Sequence, residues 1–99
     1  MPSKVFFGRH MGWSDDEIKG KVLHKLVRAG KFEHSHTAFE NLQKGFPKDL
    51  VGRVKDNVQR LVKGGILKTK PTGYGLQISV NADKTDEIMH YIDIFLSKK

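Results

Sequence analysis

The hydrophobic period changes across Gly64-Gly65, and that change restricts the folds open to this chain. Before the glycine pair, Leu50, Val51, Val54, Val58, Leu61 and Val62 recur at helical spacing. At about 100° per residue they share an arc of roughly 120°. After the pair, Leu76, Ile78 and Val80 alternate with Gln77 and Ser79, the period-two pattern of a half-buried strand. Ile66 to Lys70 is a second strand candidate, and Pro71-Thr72-Gly73-Tyr74-Gly75 carries turn chemistry between the two. The predicted centre of the fold is therefore an amphipathic helix, opened by Pro47 and closed by glycine, that runs directly into a hairpin.

Upstream, Ser14-Asp15-Asp16-Glu17 reads as a capping box, with Trp13 and Ile18 placed for a hydrophobic staple. Ile18, Val22, Leu26 and Ala29, flanked by Leu23 and Val27, make the apolar stripe of a first helix that Gly30 ends. Lys31 to His36 reads as a short extended piece anchored by Phe32. Thr37-Ala38-Phe39-Glu40 matches a second capping box, predicting a short helix with Phe39 and Leu42 as its apolar contacts and Gly45 as its stop. Asn81 is placed to cap a last helix at about 82–97. Residues 1–12 read as an N-terminal arm and 13–99 as one domain, all that 99 residues support.

The chain carries 18 Lys/Arg against 11 Asp/Glu, and the excess is local. Residues 44–70 hold eight basic side chains and only Asp49 and Asp56, nearly the whole of the net +7. Such a surplus on one segment points to a polyanionic partner. With no cysteine, disulfide scaffolds and Cys-based zinc fingers are excluded. No apolar run approaches a membrane span and no secretory signal is visible, so the expectation is a soluble, cytoplasmic protein with no membrane role.

The order helix, short strand, helix, helix, strand, hairpin loop, strand, helix, over about residues 13–97, resembles the winged helix-turn-helix fold. That fold is α+β, mainly α, here with an added C-terminal helix. The segments His36-Thr37, Gly45-Phe46-Pro47, Lys70-Pro71-Thr72-Gly73-Tyr74-Gly75 and Ser79-Val80-Asn81 are also similar to a group of small archaeal winged-helix proteins. The resemblance implies nucleic-acid binding through the helix that begins after Pro47 and through the hairpin, or wing. It names no target, and winged helices also serve as protein-docking modules.

Opposite its apolar arc the Pro47 helix offers Lys48, Asp49, Gly52, Arg53, Asp56, Gln59, Arg60 and Lys63, with Lys55 at the margin. Arg forks onto guanine, Gln pairs with adenine, and Lys and Arg hold phosphates. Gly52, an exposed glycine inside a helix, costs about 1 kcal/mol against alanine and calls for a compensating close approach, by DNA or by the second helix. Asp56 either accepts from a cytosine amino group or pairs with Arg53, Arg60 or Gln59; the pairing is the favoured reading. On the wing, Lys68, Lys70, Thr72 and Tyr74 face a phosphate ridge or minor groove, although Tyr74 could also pack back on the hairpin.

Seven of the nine residues from Ile88 to Leu96 are apolar or aromatic, more than one buried stripe needs. The expectation is a homodimer through Ile88, Tyr91, Ile92, Phe95 and Leu96, which would present two reading helices to a two-fold site. The alternative is cover by Phe6, Phe7 and Met11 of the arm. His34 and His36 share a strand face, but edge and cap positions explain them better than a metal does. No nucleophile elbow, phosphate loop or carboxylate pair is recognisable, so no enzyme, cofactor or metal is expected. The expected function is a double-stranded DNA-binding protein that regulates transcription. The alternatives are a protein-interaction module and an RNA-binding subunit of transcription or RNA-processing machinery.

Overall fold

A computed structural model describes residues 12–73 and 75–98, and its first helix starts where the first capping box stands. Helix α1 runs Asp15–Arg28. The Ser14 hydroxyl accepts from the Glu17 N–H at 3.1 Å, and the Glu17 carboxylate accepts from the Ser14 N–H at 2.8 Å. Three acids in the first turn and Lys25 and Arg28 in the last complement the helix dipole. At the far end Lys31 N–H reaches the Leu26 carbonyl and Gly30 N–H the Val27 carbonyl, a Schellman closure with Gly30 at φ +69°. Ile18, Val22, Leu23 and Leu26 face the core, while Trp13 packs between Phe46 and Phe95.

The segment after α1 departs from expectation. The strand β1 is Thr37–Ala38, where the sequence places the start of the second helix; the earlier stretch meets the sheet through the Phe32–Val80 bridge, the Lys31 carbonyl that accepts from Val80 N–H, and the Glu33–Lys68 pair. Thr37 is a strand residue paired with Ile78, so its hydroxyl caps nothing; it accepts from the Asn41 amide at 2.9 Å. Next in the chain is a 3-10 turn, Phe39–Gln43, without a side-chain cap. Too few residues separate β1 from Gly45 for a helix to recover its nucleation cost. Lysines of α1 bind the turn instead. Lys25 donates to the carbonyls of Asn41 (2.9 Å) and Lys44, and Lys21 to that of Gly45. Desolvation lowers the pKa of both ammonium groups.

Pro47 stands just before a second 3-10 turn, Lys48–Leu50, which continues as helix α2, Val51–Lys63. Leu50, Val54, Val58 and Leu61 are buried, and Val51 and Val62 lie at the margins. Gly64-Gly65 closes α2 with a second Schellman arrangement, Ile66 N–H to the Leu61 carbonyl and Gly65 at φ +78°. Strands β2, Leu67–Thr72, and β3, Gly75–Val80, then pair antiparallel from Leu67↔Val80 to Thr72↔Gly75. The strands reach further than the turn chemistry implies: Pro71 and Thr72 belong to β2. Proline is tolerated there because the sheet order is β1-β3-β2 and β2 is an edge.

Asn81 ties the sheet to the last helical segment, donating to the Gly65 carbonyl at 2.8 Å and accepting from Asp83 N–H at 3.0 Å. A 3-10 turn, Ala82–Lys84, leads into helix α3, Thr85–Leu96. This helix lies across α1 at Gly20, where a Cβ would stand 2.1 Å from the Tyr91 carbonyl oxygen. The close approach buries Ile88 and Ile92 to 3% exposure each. The described residues thus form an α+β unit, mainly α, with three α-helices and a three-stranded antiparallel sheet around one core. No helix among them is long and apolar enough to cross a membrane.

Candidate functional site

The exposed surface of α2 and of the 3-10 turn that leads into it divides into two stripes with different electrostatics. Asp49, Arg53, Asp56 and Arg60, spaced by four, three and four, form one; Lys48, Gly52, Lys55, Gln59 and Lys63, spaced by four, three, four and four, form the other. The first stripe turns toward the N-terminus of α1. Arg53 donates to Asp15 Oδ1 at 2.9 Å, and Arg60 lies 3.6 Å from Asp15 Oδ2 and 3.1 Å from Asp56. Asp56 is therefore a salt-bridge partner, as favoured from sequence, and both arginines proposed as base readers are engaged by carboxylates.

Asn57 organises that junction. It lies in the buried arc of α2 at 0% exposure, and its amide donates to Asp15 Oδ1 at 3.0 Å and to the Arg53 carbonyl at 2.9 Å. Its own Oδ1 has no partner among the described residues, so the amide is held for what it donates. The Asn57 hydrogen bond first, and the Arg53 hydrogen bond next, hold the Asp15 carboxyl below the usual carboxylate value. Sequence reasoning passes over Asn57, although a polar residue at the core spacing Leu50, Val54, Asn57, Leu61 is the signal that finds it.

The second stripe is unopposed. Lys48, Lys55 and Lys63 are exposed, and none has an acidic partner among the described residues. Gly52 meets nothing within 4 Å of where a Cβ would stand. Tight packing by the protein's own second helix, one of two explanations for this glycine, is thereby excluded within the described residues. An open, flat point remains on the stripe.

The hairpin places Lys68 and Lys70 on the exposed part of β2. Lys68 pairs with Glu33 at 3.2 Å, and this hydrogen bond is the main cause holding the Glu33 carboxyl low. Lys70 has no ion-pair partner among the described residues. The Thr72 hydroxyl donates to the Gly75 carbonyl at 2.8 Å, so part of its hydrogen-bonding capacity closes the hairpin. Tyr74 lies outside the described residues, as do Phe6, Phe7, His10 and Met11.

Between the lysine stripe and the sheet runs an open groove of about 590 Å³. Lys55, Val58, Gln59, Val62 and Lys63 form its helix wall, Thr69, Leu76 and Ile78 its sheet wall, and Phe39, Glu40 and Gln43 of the 3-10 turn close the third side. Lys55, Gln59 and Lys63 of the stripe and Thr69, Leu76 and Ile78 of the sheet thus face each other across one groove.

Two residues expected at a dimer interface are not available to one. Ile88 and Ile92 are core residues, because Gly20 lets α3 sink onto α1. Tyr91 and Phe95 are partly covered, by Lys19 and by Trp13 and His24 respectively. Leu96, at 58%, and Met89, at 45%, still face outward. Among the described residues no three His, Cys, Asp or Glu side chains come together as a metal site. Comparison with protein-family models, curated proteins and solved structures gives no match.

Proposed function

We propose that this chain is a winged-helix protein that binds double-stranded DNA, laying the Lys48–Lys63 stripe of α2 in the major groove with the β2–β3 hairpin against the backbone. The sheet order β1-β3-β2 and the hairpin directly following α2 support the winged-helix reading. The observation that carries the DNA reading is the contrast between the two stripes. One is neutralised by Asp15 and Asp56; the three lysines of the other, with a glycine and Gln59 among them, make no ion pair among the described residues and stand beside a hairpin bearing Lys70. An α-helix fits the B-form major groove, whereas the A-form groove of RNA is too deep and narrow to admit it.

Lys48, Lys55, Lys63 and Lys70 give about four phosphate contacts, so log K should fall against log salt with a slope near −4. A K48Q/K63Q/K70Q variant should lose about 2.7 of that slope. Its side chains are exposed, so the fold is retained and circular dichroism checks it. Arg53 and Lys68 are poorer targets, since Asp15 and Glu33 engage them in the free protein. Unchanged duplex affinity in the triple variant refutes the proposal.

A further inference from the structure

The groove beside the lysine stripe has a chemistry of its own. The core does not end at Ile78. Two residues earlier on the same face of β3, Leu76 is 45% exposed, and across from it Val62 and Phe39 are only partly covered. An apolar strip thus runs from the buried pair Val58 and Ile78 out to the surface with nothing over it among the described residues. Its volume falls within the range of small-molecule sites, roughly 300–1,000 Å³.

Charge decides what fits. The helix wall contributes Lys55 and Lys63, two cations without acidic partners among the described residues, with Gln59 between them. The 3-10 turn on the third side contributes Glu40, which opposes a second negative charge, and Gln43, which can hydrogen-bond. One anionic end, one apolar body and no second acid describe the ligand.

We propose that this groove binds a small amphipathic monoanion, an apolar chain or ring ending in a carboxylate, with the acid group between Lys55 and Lys63 and the apolar body on Val62, Leu76 and Ile78. Both lysines also belong to the proposed DNA face, so the anion and a phosphate backbone compete for them. This competition rests on the DNA reading; the binding of the anion does not. By linkage, the anion weakens duplex binding by the same factor as duplex weakens the anion.

The test begins without nucleic acid. The full chain, labelled with nitrogen-15, is titrated with octanoate and separately with octanol, and amide shifts are followed. Octanoate should shift amides of Val58 to Lys63 and Leu76 to Ile78, with a Kd about tenfold below that of octanol, the worth of a charge-assisted contact. The K55Q/K63Q variant should abolish the preference for octanoate yet keep octanol binding. Leu76→Ser, at a half-exposed position, should weaken both ligands. Shifts elsewhere, equal affinities, or a preference that survives K55Q/K63Q overturn the proposal. So does binding of an acidic amphipathic peptide in the groove when octanoate itself fails to bind, which would make the groove a protein-docking site. In a second arm, octanoate is added to the duplex complex. Failure to release DNA despite groove binding overturns the competition alone. Absence of any duplex binding refutes the DNA reading and leaves the anion site to be judged on the first arm.

Discussion

Replacing Gly52 by alanine separates what this position does for folding from what it does for binding. The residue is the second of α2, exposed, and open to at least 4 Å around a new Cβ. It is absent from the set of glycines with positive φ, so alanine adopts its backbone without strain. Nothing then opposes the ordinary gain in helix propensity, about 0.5–1 kcal/mol after allowing for its place near the helix start. For a domain of this size that raises Tm by about 2–8 °C, and thermal or urea unfolding measures it. If a DNA backbone or base edge approaches closely at Gly52, the same methyl group must be accommodated there. Overpacking of about 1.4 kcal/mol lowers duplex affinity about tenfold. The expected result is a more stable protein that binds worse. A variant that is stabilised and binds equally well would show that Gly52 serves no close approach, and one that is destabilised would refute the reading of the site as open.

Gly20 should behave in the opposite way. Alanine there places Cβ 2.1 Å from the Tyr91 carbonyl oxygen and 2.7 Å from Phe95 Cβ, so α1 and α3 must separate. The expected loss is about 3 kcal/mol or more in urea unfolding, and a loss under about 1 kcal/mol would show that the interface can yield. Asp15→Asn should remove a pH-dependent part of the stability. The folded carboxyl titrates below its unfolded value of 3.8, because Asn57 first and Arg53 next donate to it. Its contribution is therefore present above about pH 4 and lost as pH falls through the folded value. The difference in urea midpoint between wild type and Asp15→Asn should be widest near pH 7 and shrink below pH 4. A constant difference refutes the linkage.

Local chemistry is legible in the sequence wherever one turn of chain decides the outcome. Ser14 and Glu17 cap reciprocally, Gly30 and Gly65 take the left-handed closing conformation, and the Leu50 to Leu61 arc is the buried one. Errors arise where a tertiary partner outweighs a local signal. Thr37-Ala38-Phe39-Glu40 has the spacing of a capping box, but Ile78 and Gln77 offer Thr37 and Ala38 sheet pairing, and a pattern of four residues carries no information about that edge. The burial of Ile88 and Ile92 on α3 is missed while Gly20 is taken for an ordinary helix residue; Met89 and Leu96 remain exposed. Gly20 lies further inside its helix than Gly52 does and costs at least as much, so the same reasoning signals a close neighbour there. Asn57 escapes for a related reason: an apolar arc traced through its hydrophobic members alone leaves it out.

Under the proposed DNA reading, Asp15, Asn57 and the two arginines also determine what α2 could recognise. Arg is the residue that forks onto guanine, and both arginines of α2 have that fork turned to carboxylates. The lysines left on the open stripe are compact, hydrated charges that grip phosphates without reading bases, so within the stripe only Gln59 offers a paired donor and acceptor. Affinity should therefore be largely electrostatic and the motif shallow, with adenine favoured at the position Gln59 reaches. Selection from random duplexes at about 0.15 M salt measures this directly. Asp15→Asn supplies the decisive comparison. Freed from Asp15, Arg53 should steepen the salt slope by up to about 1 and bring guanine into the selected motif, while Arg60 stays paired with Asp56. A wild-type motif already rich in guanine would mean that DNA displaces Asp15 from its arginines, and that the pairing seen in the free chain is a resting state of the reader.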